Sequence, residues 1–247
     1  MAVPLAAFDA PMPHFWLINT GWNVARAPKE PAFVSGIIFL MGDGRIEAVI
    51  FDLGRVLVQV DVLTLARQVL AGRPHADPSL LIERVMTDPI MAAYNTGRIT
   101  SVQFHAALCE RLGLEVDFDA FRRMWCGIFG PMAGMAELVA ELRGRVRLGL
   151  LSDTDPLHWG FLRENYPFLA WFERPTLSFQ VGAMKPDPRI YRTAIGNVGT
   201  ACDRCLYVDD LPANVEGARA VGMRGILFEG PAALRRTLAE HGLVQQG

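Results

Sequence analysis

The apolar run at residues 48–51 predicts the first strand of the fold. Its sequence, Ala-Val-Ile-Phe, contains no polar residue, which is typical of a strand buried on both faces of a parallel sheet. The run ends at Asp52, and Gly54 follows. Ligands of open α/β sheets bind beyond the carboxyl ends of the strands, so Asp52 is a candidate nucleophile or metal ligand. On this stretch alone, an aspartate that caps the next helix is an equal alternative.

Residues 61–130 have the periodicity of helices and show no strand pattern. Apolar side chains recur at three- and four-residue spacing in segments that we predict to be helical, at 62–70, 80–85, 101–112 and 117–129. One crossover between parallel strands needs far fewer residues. Residues 61–130 are therefore predicted to form an inserted, all-helical cap, and a set of ordinary crossover helices is the alternative.

From Gly134 onward, helices and strands alternate regularly. The pattern predicts helices at 135–142, 157–171, 187–198, 213–221 and 232–241, and strands at 146–151, 176–179, 205–208 and 224–228. Such alternation predicts an α/β fold, a Rossmann-like parallel sheet with helices on both faces. Residues 45–60 and 131–247 are predicted to build this core.

Residues 1–44 differ from the rest of the chain. They show no clear period, and five prolines and two tryptophans lie within residues 1–31. The apolar segment at 33–41 is far too short to span a bilayer. We therefore expect a poorly ordered N-terminal extension that is not part of the fold.

Composition describes an ordinary globular protein. The chain has 247 residues, of which 51% are apolar and 20% charged, and a formal net charge of −2. This charge gives no electrostatic basis for binding nucleic acid or an anionic membrane. The four cysteines do not resemble a secreted disulfide framework. We expect a cytoplasmic protein, a monomer or homodimer, whose partner is a small molecule.

Polar side chains stand at the ends of three predicted strands and in one later loop. Asp52, Ser152 and the Asp209-Asp210 pair end strands, and Lys185 follows another strand. Three carboxylates around one crevice repel each other unless a cation joins them, and hard oxygen ligands favour Mg²⁺. A serine hydroxyl and a lysine ammonium at the same edge can bind a small dianion. The set predicts phosphoryl transfer through an aspartyl-phosphate, with Mg²⁺ as cofactor.

Four segments at these positions resemble motifs of the haloacid dehalogenase superfamily, specifically its phosphatases with a helical cap inserted after the first motif. They are Phe51-Asp52-Leu53-Gly54, Leu151-Ser152-Asp153-Thr154, residues 182–191 and residues 208–218. The likeness runs from about residue 46 to residue 228. The Asp-Leu-Gly opening and Leu157-His158 are similar to a bacterial branch that acts on sugar phosphates such as α-glucose 1-phosphate.

The resemblance implies a metal site and a phosphoryl site. Asp52 is the implied nucleophile and first metal ligand, the backbone carbonyl of Gly54 is the second, and Asp210 is the direct third. Asp209 beside it is implied to hold metal-bound water. The implied substrate-binding residues are Ser152, Asp153 and Lys185. Of these, Ser152 hydrogen-bonds a phosphoryl oxygen, and Lys185 offsets the charge of the nucleophile and of the phosphoryl group in the transition state.

Two positions depart from the family pattern. Most of the family's phosphatases have a second Asp where this chain has Gly54, so the group that protonates the leaving oxygen is missing. Asp153 stands where related sequences usually have Asn. An extra carboxylate repels a phosphate unless it is protonated or turned away, and Asp153 is alternatively the missing acid/base.

Three functions compete on this basis. The first is Mg²⁺-dependent hydrolysis of a small phosphorylated metabolite such as a sugar phosphate. The second is hydrolytic dehalogenation of a haloacid, against which the Asp209-Asp210 pair argues, because two carboxylates beside the nucleophile require a cation. The third is a degenerate, non-catalytic family member, which Gly54 and Asp153 make credible. The sequence favours the phosphatase.

Overall fold

The computed structural model describes residues 45–71 and 75–245, and the predicted extension at 1–44 lies outside them. The strands of the described part are β1 (Ala48–Phe51), β2 (Val58–Val60), β3 (Phe129–Pro131), β4 (Arg147–Ser152), β5 (Thr176–Leu177), β6 (Cys205–Asp209) and β7 (Arg224–Leu227). The helices are α1 (Val62–Val69), α2 (Pro78–Thr87), α3 (Pro89–Asn95), α4 (Ser101–Leu112), α5 (Phe118–Cys126), α6 (Met135–Leu142), α7 (Pro156–Asn165), α8 (Ser178–Val181), α9 (Pro188–Val198), α10 (Pro212–Ala220) and α11 (Pro231–Glu240). None of these helices is long and apolar enough to cross a membrane.

Strands β1 and β4 to β7 form one parallel sheet with the order β5-β4-β1-β6-β7. The central strand β1 is buried throughout because both of its faces are covered. Val49 and Phe51 belong to the core that includes residues of α6, α7 and α11. Ala48 and Ile50 belong to a second core with residues of α9 and α10. The predicted Rossmann-like parallel sheet with helices on both faces is confirmed.

Helices α1 to α5 lie between β2 and β3 in the chain and have a core of their own. Its buried members are apolar and mostly aromatic: Ile90, Met91, Tyr94, Phe104, Leu108, Phe121 and Trp125. The segment predicted to be all-helical up to residue 130 includes the first two residues of β3, which pairs antiparallel with β2. The prediction is therefore wrong at its carboxyl end. The helix predicted at 117–129 ends at Cys126, and a three-residue strand has too few positions for its period to be recognised. The division of the chain into cap and core at these boundaries stays a prediction.

Two further elements differ from the prediction. The strand predicted at 176–179 has only two residues, because Ser178 begins the short helix α8. The single helical segment predicted at 80–85 is followed directly by α3, because Asp88 is the residue after α2 and the residue before α3. The Asp88 carboxylate accepts the N–H of Ile90 at 2.9 Å, and proline is tolerated in the first helical turn. One dipeptide therefore ends α2 and starts α3.

Candidate active site

Three carboxylates meet at the carboxyl edge of the sheet. Asp52 follows β1, Asp209 is the last residue of β6, and Asp210 comes next. Because β1 and β6 are neighbouring parallel strands, their ends bring these side chains together, and one oxygen of each lies within 4.8 Å of the others. Asp52 and Asp209 are buried, and Asp210 is partly buried.

Lys185 supplies a cation inside this cluster. It precedes α9, and its ammonium nitrogen lies 2.6 Å from Oδ1 of Asp52 and 2.8 Å from Oδ2 of Asp209. The side chain is only 3% exposed, which excludes a solvated loop lysine. Burial lowers the pKa of Lys185, but the facing carboxylates outweigh burial and hold that pKa well above its ordinary value. The ammonium is therefore charged at neutral pH.

The two carboxylates that share Lys185 differ in how easily they ionise. Burial raises the pKa of Asp52 to about 7, although the Lys185 ammonium opposes this rise. Burial also acts on Asp209, but Lys185 and several hydrogen bonds hold the pKa of Asp209 below its ordinary value. Negative charge thus resides on Asp209, and a further cation near Asp52 would favour ionisation of Asp52 as well.

Asp209 is surrounded by hydrogen-bond donors. Besides Lys185, it accepts bonds from the Tyr207 hydroxyl, from the backbone N–H of Leu211 at 2.8 Å and from the Asn214 amide at 3.0 Å. A carboxylate has about four acceptor sites, so these donors satisfy it. The sequence reasoning missed Tyr207 and Asn214. The available signal was that Tyr207 stands two positions before Asp209 in a strand, which places both side chains on the same face.

The turn after Asp52 carries Gly54 and Arg55. Gly54 forms an isolated bridge with Val58, and the Arg55 N–H donates to the Val58 carbonyl at 2.6 Å. Gly54 has no side chain, so this turn contains no second acidic group. The Arg55 Nε atom instead lies 3.1 Å from Oδ2 of Asp210. Burial raises the pKa of Asp210, and the guanidinium of Arg55 opposes that rise.

The end of β4 brings Ser152 and Asp153 to the same edge of the sheet. Ser152 is buried as the last residue of the strand. Asp153 Oδ1 accepts the backbone N–H of Lys185 at 3.1 Å, and burial raises the pKa of Asp153 to about 6. An asparagine would accept the same bond through its amide oxygen. Position 153 therefore fixes the loop that carries Lys185.

A buried polar cluster joins α5 to α7 close to this edge. Asp155, which is 1% exposed, accepts a bond from Nε1 of Trp125 at 3.1 Å, and its Oδ2 lies 2.8 Å from Nδ1 of His158. The other ring nitrogen of His158 lies 2.9 Å from the Trp125 carbonyl, and the two rings stack. Since Trp125 is in α5 and His158 is in α7, this cluster joins these two helices.

The donor set fits a hard divalent cation. Asp52, Asp209 and Asp210 offer carboxylate oxygens within reach of one another, and Mg²⁺ and Ca²⁺ prefer oxygen ligands. Lys185 and Arg55 face these three carboxylates, but burial still holds the pKa of Asp52 above its ordinary value, so a divalent cation there would stabilise the ionised form of Asp52. These residues are suited to holding a metal ion.

The sequence matches a known family over most of its length. Residues 46–222 match the family model for haloacid dehalogenase-like hydrolases. This segment extends from two residues before β1 to two residues after α10 and contains every candidate site residue named above. The match covers well over half of the chain and therefore establishes the family.

Individual relatives agree with this assignment. D-ribitol-5-phosphate phosphatase of Bacteroides thetaiotaomicron is 25% identical over 200 residues, 78% of this chain and 97% of that protein. A sesquiterpene phosphatase of Aspergillus oryzae is 25% identical over 185 residues, 73% and 88% of the two chains.

Solved structures share the fold. A haloacid dehalogenase-family enzyme of Bacteroides thetaiotaomicron, solved with magnesium and inorganic phosphate, superposes with a TM-score of 0.66 at 22% identity, over 75% of this chain and 95% of that one. A HAD-like family hydrolase of Porphyromonas gingivalis gives a TM-score of 0.65 at 26% identity, over 78% and 98%. The chain therefore belongs to the haloacid dehalogenase-like hydrolase family, as an enzyme related to that family's phosphatases.

Proposed function

We propose that the protein is a Mg²⁺-dependent phosphatase that hydrolyses a small phosphorylated metabolite through an aspartyl-phosphate on Asp52. One observation carries the proposal: oxygens of Asp52, Asp209 and Asp210 lie within 4.8 Å of one another, and the Lys185 ammonium lies among them. Acidic groups at this spacing call for a divalent cation, and a divalent cation beside an ammonium attracts a phosphoryl dianion.

The proposed reaction has two displacements at phosphorus. A carboxylate oxygen of Asp52 attacks the phosphorus atom, and the bond from phosphorus to the leaving alcohol oxygen breaks. Because Gly54 offers no acid, the leaving oxygen takes its proton from water. Water then hydrolyses the acyl phosphate, which releases inorganic phosphate and restores Asp52. Lys185, 2.6 Å from Asp52, offsets the negative charge in both steps. Ser152 at the end of β4 is assigned to bind a phosphoryl oxygen.

The metal is assigned to Asp52, Asp210 and the backbone carbonyl of Gly54 as direct ligands. Asp209 is assigned an indirect role, because Lys185 and neighbouring hydrogen-bond donors already engage its oxygens. When bound, Mg²⁺ neutralises the charge that develops on the transferring phosphoryl group.

Gly54 restricts the substrate class. General acid catalysis is typically worth about 10²–10⁴-fold, and glycine cannot provide it. The rate of hydrolysis should fall least for a substrate whose leaving oxygen needs little protonation, such as a sugar esterified at its anomeric oxygen. The likeness to a D-ribitol-5-phosphate phosphatase supports a phosphorylated polyhydroxy compound but not the anomeric position, because ribitol 5-phosphate is an ordinary alkyl ester.

The decisive experiment measures p-nitrophenyl phosphate hydrolysis with Mg²⁺, then with EDTA, and then with Asp52→Asn. We expect turnover that EDTA and the substitution each abolish. The matched control is Asp119→Asn, an exposed aspartate in α5, which should retain activity. Release of chloride from chloroacetate without metal would support a dehalogenase instead. Absence of activity in both assays would support a non-catalytic protein.

A further inference from the structure

Arg55 has an unusual backbone conformation for its residue type. Its φ is +61°, and among the described residues it is the only non-glycine residue with a positive φ. The left-handed region costs an ordinary L-residue roughly 1–2 kcal/mol, and glycine would occupy it freely. A side chain kept at such a position suggests a contact that glycine could not make.

The contact that Arg55 makes is with a carboxylate of the active site. Its Nε atom lies 3.1 Å from Oδ2 of Asp210, and the two side chains are 54% and 17% exposed. Lys185 already pairs with Asp52 and Asp209. Asp210 therefore pairs with a separate cation, and that cation is half-exposed to solvent.

A guanidinium and a divalent cation at the same carboxylate oppose each other. A metal ion bound to Asp210 and the positive charge of Arg55 repel each other. Arg55 already engages Oδ2, one of the two oxygens that Asp210 can offer a metal. From the ion pair and the left-handed turn, we propose that Arg55 is a counter-ion that competes with the metal for Asp210 and so weakens metal affinity. The proposal rests on the proposed function, because it assumes that Asp210 is a metal ligand.

Binding rather than turnover provides the test. Mg²⁺ is titrated calorimetrically into the wild-type protein and into Arg55→Ala, Arg55→Gly and Arg55→Lys. We expect Kd to fall about two- to fivefold in the Ala and Gly variants, the range for a partly exposed ion pair, and to stay near the wild-type value in the Lys variant. The difference should shrink at high salt, because the guanidinium is half-exposed.

Two controls test whether a change in Mg²⁺ affinity comes from the charge of Arg55 or from another effect of its substitution. Arg122→Ala removes an arginine of the same 54% side-chain exposure from α5 and should leave Kd unchanged, which controls for net charge. Arg55→Gly relieves the left-handed strain whereas Arg55→Ala retains it, so equal affinities in these two variants assign the effect to the charge and not to the turn.

The outcomes distinguish this proposal from the proposed function. If the wild-type protein binds Mg²⁺ and both Arg55→Ala and Arg55→Gly leave Kd unchanged, the competition is refuted and the metal site stands. If none of the proteins binds Mg²⁺, the metal site is wrong and the competition falls with it. Loss of binding in Asp210→Asn together with tighter binding in Arg55→Ala would support both.

Discussion

The ammonium nitrogen of Lys185 lies 2.6 Å from Oδ1 of Asp52, although the two are 133 positions apart in the sequence. The same nitrogen lies 2.8 Å from Asp209, so one buried cation serves two buried carboxylates. Each carboxylate would be costly to bury ionised without it. The proposed nucleophile and its transition-state cation are thus also part of the electrostatic support of the fold.

Lys185→Met should destabilise the protein and abolish activity. Removing one partner of a buried ion pair typically costs about 3–5 kcal/mol, and here two carboxylates lose their shared partner. Denaturant unfolding in EDTA at pH 8 should show a loss of this size. The double variant Lys185→Met/Asp209→Asn leaves fewer uncompensated charges and should regain part of it. An unchanged unfolding midpoint in the single variant would contradict the described ion pairs.

Asp153→Asn should retain activity, whereas Asp153→Ala should not. Asparagine can accept the N–H of Lys185 that Asp153 accepts at 3.1 Å and adds no negative charge near the phosphoryl group. Alanine leaves that N–H without its acceptor, at a cost of about 1–3 kcal/mol, and releases the loop. Steady-state kinetics with p-nitrophenyl phosphate should therefore separate the two variants. If Asp153→Asn lost about 10²–10⁴-fold in turnover, Asp153 would be the acid/base instead.

Asp153 should also make stability depend on pH. Burial raises its pKa from an ordinary 3.8 to about 6, so between these values the folded state binds more protons than the unfolded state. The contribution of Asp153 to the free energy of unfolding is therefore largest below about pH 4 and is lost as pH rises through 6. The difference in unfolding free energy between Asp153→Asn and the wild type should therefore shift in favour of the variant as pH rises from 4 to 7. A difference in Tm that stays constant over this range would contradict the raised pKa.

Gly97→Ala should cost more than Gly113→Ala. Both glycines have left-handed φ, +69° and +60°, so both substitutions incur backbone strain of about 1 kcal/mol or more. A Cβ at Gly97 would clash with the Phe179 carbonyl oxygen, whereas nothing lies within 4 Å of one at Gly113. We expect an additional loss of about 1–3 kcal/mol for Gly97→Ala. Equal unfolding free energies would show that this contact is not maintained in solution.

The sequence by itself determined the frame of the site. An unbroken apolar run is typical of a strand that is buried on both faces, and β1 has its predicted bounds. Asp52 follows the run and therefore lies at the edge of the sheet. Parallel strands end at one edge, which is why Ser152 and Asp209 could be placed beside Asp52 without knowledge of the sheet order. Periodicity also located most helices, because each has an apolar face that packs against a neighbour.

Only the tertiary structure decided which partner each charged group contacts. The hydrophobic pattern could not predict that Arg55 pairs with Asp210 or that Asp153 accepts the backbone N–H of Lys185. These contacts depend on how separate loops pack. The pairing of β2 with β3 was likewise hidden, since short strands carry no readable period. Local pattern fixes which residues reach the sheet edge, whereas three-dimensional packing fixes the distances and burial on which their charges depend.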